Sequence, residues 1–240
     1  MSIKVSVVGA SGRMGKLALE LIHDAQDLEL HSALDSKSQL SQSLGADVIF
    51  DVTKLEVSQQ VVEHGISSGI SVVVGTSGWS EAKLAELTPK LNKSPGTAVV
   101  VIPNFSIGSM LASDFSAQAA KYFESIEIIE THHAGKVDSP SGTAVRTAEL
   151  IAEARKDLTK PLIPGVGQPA RGQVVAGIPI HSLRQTGASA NQEVRIHGES
   201  ELIRISHEVS SIRAYSFGIL QSIRAAHKQQ GLFIGLNSVI

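Results

Sequence analysis

Val5-Ser6-Val7-Val8-Gly9-Ala10-Ser11-Gly12-Arg13-Met14-Gly15 reads as a β-branched strand, a glycine turn and the start of a helix, in that order. Glycines separated by two residues let backbone N–H groups approach a pyrophosphate, and a helix start behind them favours negative charge through its dipole. On this reading Gly9, Ala10, Ser11, Gly12, Arg13 and Met14 line a phosphate site. An ordinary tight turn has the same glycines, so the flanking strand and helix carry the reading. A P-loop is excluded: the glycine it needs five residues before Gly15 is missing, and Leu17 stands where a magnesium-binding hydroxyl belongs.

Outward from this turn, the first hundred or so residues alternate β-branched runs with amphipathic stretches. The strand candidates are Ile3 to Val8, Leu28 to Leu34, Val48 to Asp51, Ser71 to Val74 and Ala98 to Ile102. Helical spacing runs over Met14 to His23, Leu55 to Ser67 and Ser80 to Asn92, with Thr53 and Glu56 forming a capping-box pattern. This is the grammar of a doubly wound parallel α/β sheet, a Rossmann domain. Asp35 ends the second strand about 20 residues past the glycine turn, where an acid accepts hydrogen bonds from an adenosine ribose. Arg13 and Lys37 are near enough in sequence to neutralise a 2′-phosphate, so NADH and NADPH both stay open. The turns Gly75-Thr76-Ser77-Gly78 and Pro103-Asn104-Phe105-Ser106 follow strands four and five, at the sheet end where ligands bind in such folds. Either could equally be a plain turn.

Beyond Asn104 the pattern changes. A helix is expected over Ile107 to Phe123, a strand over Ser125 to Thr131, and a helix from about Ser141 to Lys156. An irregular loop rich in proline and glycine then runs from Pro161 to Gly172. Alternating runs over Val174 to Arg184, Ala190 to His197 and Glu201 to Glu208 give antiparallel strand signals, and Arg213 to His227 is helical again. The expected plan is a dinucleotide-binding domain of residues 1–105 plus 214–240, and a second, α+β domain of residues 106–213.

With 21 basic and 23 acidic residues the net charge is −2, so no global field draws the chain to nucleic acid or an anionic membrane. Zero cysteines excludes disulfides, thiolate metal sites and a cysteine nucleophile together. No apolar run approaches the roughly 20 residues that span a bilayer. Met1-Ser2-Ile3-Lys4 leads straight into a strand without signal-peptide order, which makes a cytoplasmic location the expectation.

Titratable residues concentrate in Glu130-Thr131-His132-His133-Ala134-Gly135-Lys136-Val137-Asp138-Ser139-Pro140-Ser141-Gly142-Thr143-Ala144, a strand end, a loop and a helix start. Ser141 can cap the helix, and the N–H groups of Gly142 and Thr143 with the Thr143 hydroxyl then form a cradle for a carboxylate. His132 can donate a proton near neutral pH, and Lys136 adds a positive charge or a second acid, which suits a substrate gaining hydride. Adjacent histidines on a strand point to opposite faces, so one of them can be merely structural. The pair has no cysteine partner and no third ligand at helical spacing, so no metal is expected. Asp138 reads as a residue that ties the loop through backbone amides.

Taken together these motifs resemble the dihydrodipicolinate reductase family, the 4-hydroxy-tetrahydrodipicolinate reductases of lysine and diaminopimelate biosynthesis. The resemblance covers nearly the whole chain. It rests on the glycine turn, Gly75 to Gly78, Pro103-Asn104-Phe105-Ser106-Ile107-Gly108 and, most specifically, the Glu130 to Ala144 segment. It implies a homotetramer whose second domain supplies the subunit contacts, and a small dicarboxylate substrate. It also implies that His132 is the proton donor assisted by Lys136, that His133, Gly142 and Thr143 hold carboxylates, and that Gly75, Thr76, Ser77, Ile102, Pro103, Asn104 and Phe105 contact the cofactor. Leu55, Ser139 and Asn191-Gln192 depart from the family pattern, which leaves the part played by the Asn191 region open.

The expected activity is NADH- or NADPH-dependent reduction of 4-hydroxy-tetrahydrodipicolinate with loss of water. A thioester-forming semialdehyde dehydrogenase needs a cysteine, and a short-chain dehydrogenase needs a Tyr-x-x-x-Lys unit that neither Tyr122 nor Tyr215 provides. Another amino-acid-type dehydrogenase, or a noncatalytic dinucleotide sensor, remains as an alternative.

Overall fold

Every residue of the first strand, Ile3 to Val8, is buried except Lys4, which fixes it as an interior strand of a sheet covered on both faces. The computed structural model describes residues 2–159, 161, 163–165 and 167–240. In chain order its elements are β1 (Ile3–Val8), α1 (Arg13–Asp24), β2 (Leu28–Leu34), β3 (Val48–Asp51), α2 (Leu55–Ser68), β4 (Ser71–Val74), α3 (Glu81–Ala85), α4 (Leu87–Leu91) and β5 (Ala98–Val101). There follow α5 (Ile107–Ala119), β6 (Ser125–His133), α6 (Gly142–Ala154), β7 (Gln173–Val175), β8 (Ile178–Gln185), β9 (Ala190–His197), β10 (Leu202–Val209), α7 (Ser216–Lys228) and β11 (Gly231–Ile234). Two compact units result, one running to Ile107 and resuming at Ile212, the other spanning Gly108–Ser211.

The first unit holds a six-stranded sheet in the order β11-β5-β4-β3-β1-β2, with every neighbouring pair parallel. The chain moves outward from β1 to β2 and then returns to β3 on the other side of β1. That reversal is the switch point of a Rossmann sheet, and loops at the carboxyl ends of β1 and β3 flank it. Apolar residues at helical spacing seat α1 through Leu17, Ala18, Leu21 and Ile22, and α2 through Val61, Val62 and Ile66.

Three local details differ from the sequence expectation. The stretch Ser80 to Asn92 is two short helices, because Pro89 has no N–H for the Ala85 carbonyl and its ring crowds that carbonyl. The Thr53–Glu56 capping box does not form: α2 starts at Leu55, and the Thr53 hydroxyl donates instead to Asp51 Oδ1 at 2.6 Å. After α7 the chain adds a sixth strand, β11, paired with β5; it is four residues long and opens on Gly231, which left little periodicity to read.

The second unit holds a five-stranded sheet in the order β10-β9-β6-β8-β7. Its pairing is mixed rather than antiparallel throughout, since β6 and β8 run parallel while β6/β9, β9/β10 and β7/β8 are antiparallel. The parallel pair follows from the crossover through α6, which covers one face of the sheet with Ala144, Ala148 and Ile151 against Ile126, Ile128, Ile180 and Val194. The run Val174 to Arg184 is two strands joined at Ala176-Gly177, both left-handed at φ 49° and 81°. That is a two-residue hairpin turn, and alanine in its first position hides it from a reading by Asn-Gly or Asp-Gly signals. The helix from Ile107 ends at Ala119 and tightens into a 3-10 turn over Ala120–Tyr122. Of the loop expected from Pro161 to Gly172, residues 162 and 166 lie outside the described residues; Pro169–Arg171 forms a 3-10 turn. Among the described residues no helix is long and apolar enough to cross a membrane.

Candidate active site

The glycine turn behaves as its sequence predicts. Gly9 has φ 89°, and its N–H and that of Ala10 both donate to Leu34 O, which ties the turn to the end of β2. A Cβ on Gly15 would lie 2.2 Å from Gly9 O and 2.7 Å from Ala10 Cα, so only glycine lets α1 start this close to the turn. Ser11, Gly12 and Arg13 are exposed, Met14 is half-buried, and the first turn of α1 contains no acidic residue. Its free N–H groups therefore suit an anion. Asp35 stands exposed just past β2, and its Oδ1 accepts from Lys37 N at 2.9 Å and Ser38 Oγ at 3.0 Å. The Lys37 backbone bond, then Ser38, hold its carboxyl below the usual range, so it stays an acceptor for ribose hydroxyls. These groups fit a dinucleotide.

Asp51, at the end of β3, is a residue the sequence reading passed over. It is fully buried and accepts from Thr53 Oγ1 and Thr76 Oγ1. Burial pushes its carboxyl up, against the hydroxyls bound to it. The Thr76 side chain is thus spent inside the turn, and Gly75 and Ser77 present the turn's outer surface. Gly75 packs under the Phe105 ring, where a Cβ would come within 2.6 Å of Cε2. Ile102 and Phe105 are core side chains, with Phe105 tilted against Phe50 at 5.6 Å, so they can meet a cofactor only through backbone; Pro103 is exposed and Asn104 Oδ1 accepts from Ser106 N. Gly218 of α7, also unremarked in the sequence, allows α7 to close on this turn, since its Cβ would meet Phe105 O at 2.0 Å.

In the second unit, alternation along β6 puts Ile126, Ile128, Glu130 and His132 on the face covered by α6, and His133 on the other, exposed. Glu130 is fully buried and gathers the site around itself. His132 Nδ1–H donates to its Oε2 at 2.5 Å, and Ser141 N–H, at the cap of α6, donates to Oε1 at 3.2 Å. Arg184, opposite His132 in β8, binds both oxygens at 2.9 Å. Burial acts to raise the Glu130 carboxyl, but the bonds from Arg184 and His132 outweigh it and hold the group below its ordinary range. Burial lowers the affinity of His132 for a proton, with Lys136 and Arg184 acting the same way and Glu130 opposing them.

The loop after β6 turns back at once, Lys136 N donating to His133 O, and Lys136 Nζ then binds both Asp138 oxygens at 2.7 Å. Asp138 thus holds the loop through the lysine, and its backbone O accepts from Arg184 Nη2 at 2.6 Å. Ser141 caps α6 by accepting from Ala144 N, and Gly142 is exposed with no atom within 4 Å of where a Cβ would sit. Space for a ligand therefore lies over the helix start. Thr143 O accepts from Thr147 Oγ1, which also takes Nε2 of buried Gln192, so Gln192 supports α6 from beneath while Asn191 lies on the opposite face of the sheet. His132, Lys136 and the α6 start are brought together; His133 leaves the strand end on the other side. Glu130 and Arg184 were the signal the sequence concealed, because a buried carboxylate in an alternating strand and an arginine more than 50 residues later (|i−j| = 54) show no spacing.

Comparison with known proteins accounts for both units. The dihydrodipicolinate reductase N-terminal family matches residues 3–105, and the dihydrodipicolinate reductase C-terminal family matches residues 108–240. A 4-hydroxy-tetrahydrodipicolinate reductase of Clavibacter sepedonicus is 47% identical over 240 residues, covering 100% of this chain and 87% of the relative. One from Streptomyces griseus is 40% identical over 244 residues, covering 98% and 96%. The dipicolinate-bound dihydrodipicolinate reductase of Paenisporosarcina sp. TG-14 superposes with a TM-score of 0.82 at 30% identity over the full length of both chains. GenD2 in complex with NAD, at 12% identity and a TM-score of 0.60, shares the fold alone over 93% of this chain and 84% of its own. With each half matched and full-length relatives far above the level of fold likeness, the chain belongs to the dihydrodipicolinate reductase family.

Proposed function

We propose that the family reaction runs in this chain on His132 and Lys136, with the start of α6 as carboxylate cradle. That reaction is the reduction of 4-hydroxy-tetrahydrodipicolinate to tetrahydrodipicolinate with loss of water, a step of lysine and diaminopimelate biosynthesis. NADH or NADPH supplies the hydride when bound. Gly9, Ala10, Ser11, Gly12, Arg13 and Met14 hold its pyrophosphate, Asp35 its ribose, and the turns Gly75-Thr76-Ser77 and Ile102-Pro103-Asn104-Phe105 its nicotinamide end, through backbone where side chains are buried.

Loss of water from the hydroxylated ring leaves a conjugated cyclic imine, and reduction moves an electron pair along that conjugation. One proton must then be added. With Nδ1 engaged by Glu130, the Nε2 of His132 is the atom that delivers it. Lys136, held at the loop by Asp138, offsets the charge that builds on the substrate. Gly142 and Thr143 take one carboxylate at the helix start, which lowers the entropic cost of bringing the reacting atoms into line. The observation that carries the reading is the His132–Glu130–Ser141 chain of bonds, which joins a proton donor to an anion-binding helix start.

Residues 1–105 with 214–240 serve as the dinucleotide-binding domain, and residues 106–213 bind substrate and assemble a homotetramer. The uncovered face of the second sheet supports the assembly, with Leu183 left 37% exposed there. The substrate is a small dicarboxylate, no nucleic acid or membrane is engaged, and the enzyme works in the cytoplasm. Mixing the chain with NADH or NADPH and freshly made substrate tests the reading. Nicotinamide oxidation is expected; dinucleotide binding without oxidation in both cases would show a sensor instead.

A further inference from the structure

We infer that Glu130, clamped by Arg184, is the positioning residue that selects the tautomer of His132 and sets it in register with the carboxylate-binding start of α6. The inference rests on His132 as the proton donor. It touches neither substrate nor cofactor in this role and acts through groups that do.

The physical case begins with what a fully buried carboxylate must satisfy. An ionised glutamate has two oxygens that only accept, and removal from water is costly unless charge and hydrogen bonds compensate. Glu130 meets four donors: His132 Nδ1, Ser141 N, and Arg184 Nη1 and Nη2. Each oxygen takes one bond from Arg184, so Oε2 is left pointing at the imidazole and Oε1 at the helix cap. An ionised acceptor at Nδ1 requires a proton there, and the working lone pair or proton is therefore confined to Nε2. Because the second oxygen holds the N–H of Ser141, moving the imidazole means moving the helix start as well. Arg184 adds a third tie, donating to Asp138 O in the loop that presents Lys136. One carboxylate thus indexes acid, cradle and cation to each other.

A second consequence is electrostatic. The charged groups facing His132 are Glu130 on its own strand, Arg184 from β8 and Lys136 from the loop, whose partner is Asp138; β9 brings uncharged Ala190 opposite it, with Gln192 beyond. Glu130 favours the protonated imidazole and the two cations oppose it. Removing Glu130 or Arg184 must therefore move the proton affinity of the His132–Glu130 pair in opposite directions.

The test is the pH profile of kcat in Glu130→Gln, Arg184→Gln and Arg184→Lys, each with dinucleotide affinity followed by fluorescence. Proton donation by His132 makes kcat fall as pH rises through its apparent pKa. In Glu130→Gln that fall should move to lower pH by about one unit, and in Arg184→Gln to higher pH. Glu130→Gln should lose roughly tenfold to 100-fold in kcat, less than the roughly 10²- to 10⁴-fold that the acid itself contributes, with dinucleotide Kd unchanged. Arg184→Lys keeps the charge and loses the fork, so the fall should stay at its wild-type pH while kcat drops. His132→Asn separates the two claims. If it keeps the wild-type fall, the assignment of His132 fails; if it abolishes the fall yet Glu130→Gln and Arg184→Gln leave it in place, only the positioning role fails. Should Glu130→Gln not fold, the opposed shifts reduce to the Arg184 pair, where equal profiles for Gln and Lys would overturn the inference.

Discussion

Thr76 Oγ1 donates to Asp51 Oδ2 at 3.0 Å and accepts from Thr53 N at 2.9 Å, so one hydroxyl joins the ends of β3 and β4 across the switch side of the sheet. A buried hydroxyl with a donor and an acceptor to satisfy cannot be replaced by a methyl without leaving both unpaired. Thr76→Val should cost about 1–3 kcal/mol of stability in urea titration, and should weaken dinucleotide binding, whereas Thr76→Ser retains both bonds. Equal stability of the Val variant would mean the network is not held as described.

Gly15→Ala should fail to bind the cofactor well. Its new Cβ would have to sit 2.2 Å from Gly9 O, so the turn must open before α1 can form. Overpacking of this kind costs about 1–3 kcal/mol. Fluorescence titration with NADH should show at least a severalfold weaker Kd; unchanged affinity would remove the turn from the binding site.

Gly142→Ala separates folding from binding at the substrate cradle. No atom lies within 4 Å of the added Cβ, and alanine is the better helix former by up to about 1 kcal/mol. The variant should therefore melt at or above the wild-type temperature while the KM for substrate rises by roughly tenfold, about the loss of one charge-assisted hydrogen bond. A wild-type KM would place the carboxylate elsewhere.

Asp35→Ala should act on one cofactor and spare the other. The carboxylate is held ionised by Lys37 N and Ser38, and it offers acceptors to a free 2′-hydroxyl but repels a 2′-phosphate. kcat/KM for NADH should fall about tenfold or more, the loss of a hydrogen bond to a charged group, and kcat/KM for NADPH should hold or rise. A larger loss with NADPH would reverse the assignment.

The parts of this molecule that a sequence states locally were legible in it. The strand Leu28 to Leu34 and the glycine turn are set by neighbours within a few residues, and so is the Ser141 cap. What stayed hidden depends on partners far along the chain. Glu130 gains its meaning from Arg184, and Asp51 from Thr76; a buried acid in an apolar strand shows its purpose only once the partner is beside it. Direction of pairing was hidden in the same way, since the alternation of β8 is the same whether it runs parallel or antiparallel to β6. Thr53 followed by Glu56 carries a capping signal that lost to a competing acceptor, Asp51, two residues upstream.

The most direct measurement of the central claim is kcat for His132→Asn at saturating NADH and freshly made substrate, alongside its dinucleotide Kd. Loss of the imidazole removes the donor at Nε2 while leaving the glycine turn and Asp35 untouched. A fall of roughly 10²- to 10⁴-fold in kcat with Kd within about twofold of wild type is the predicted result. A variant that turns over at the wild-type rate would contradict it.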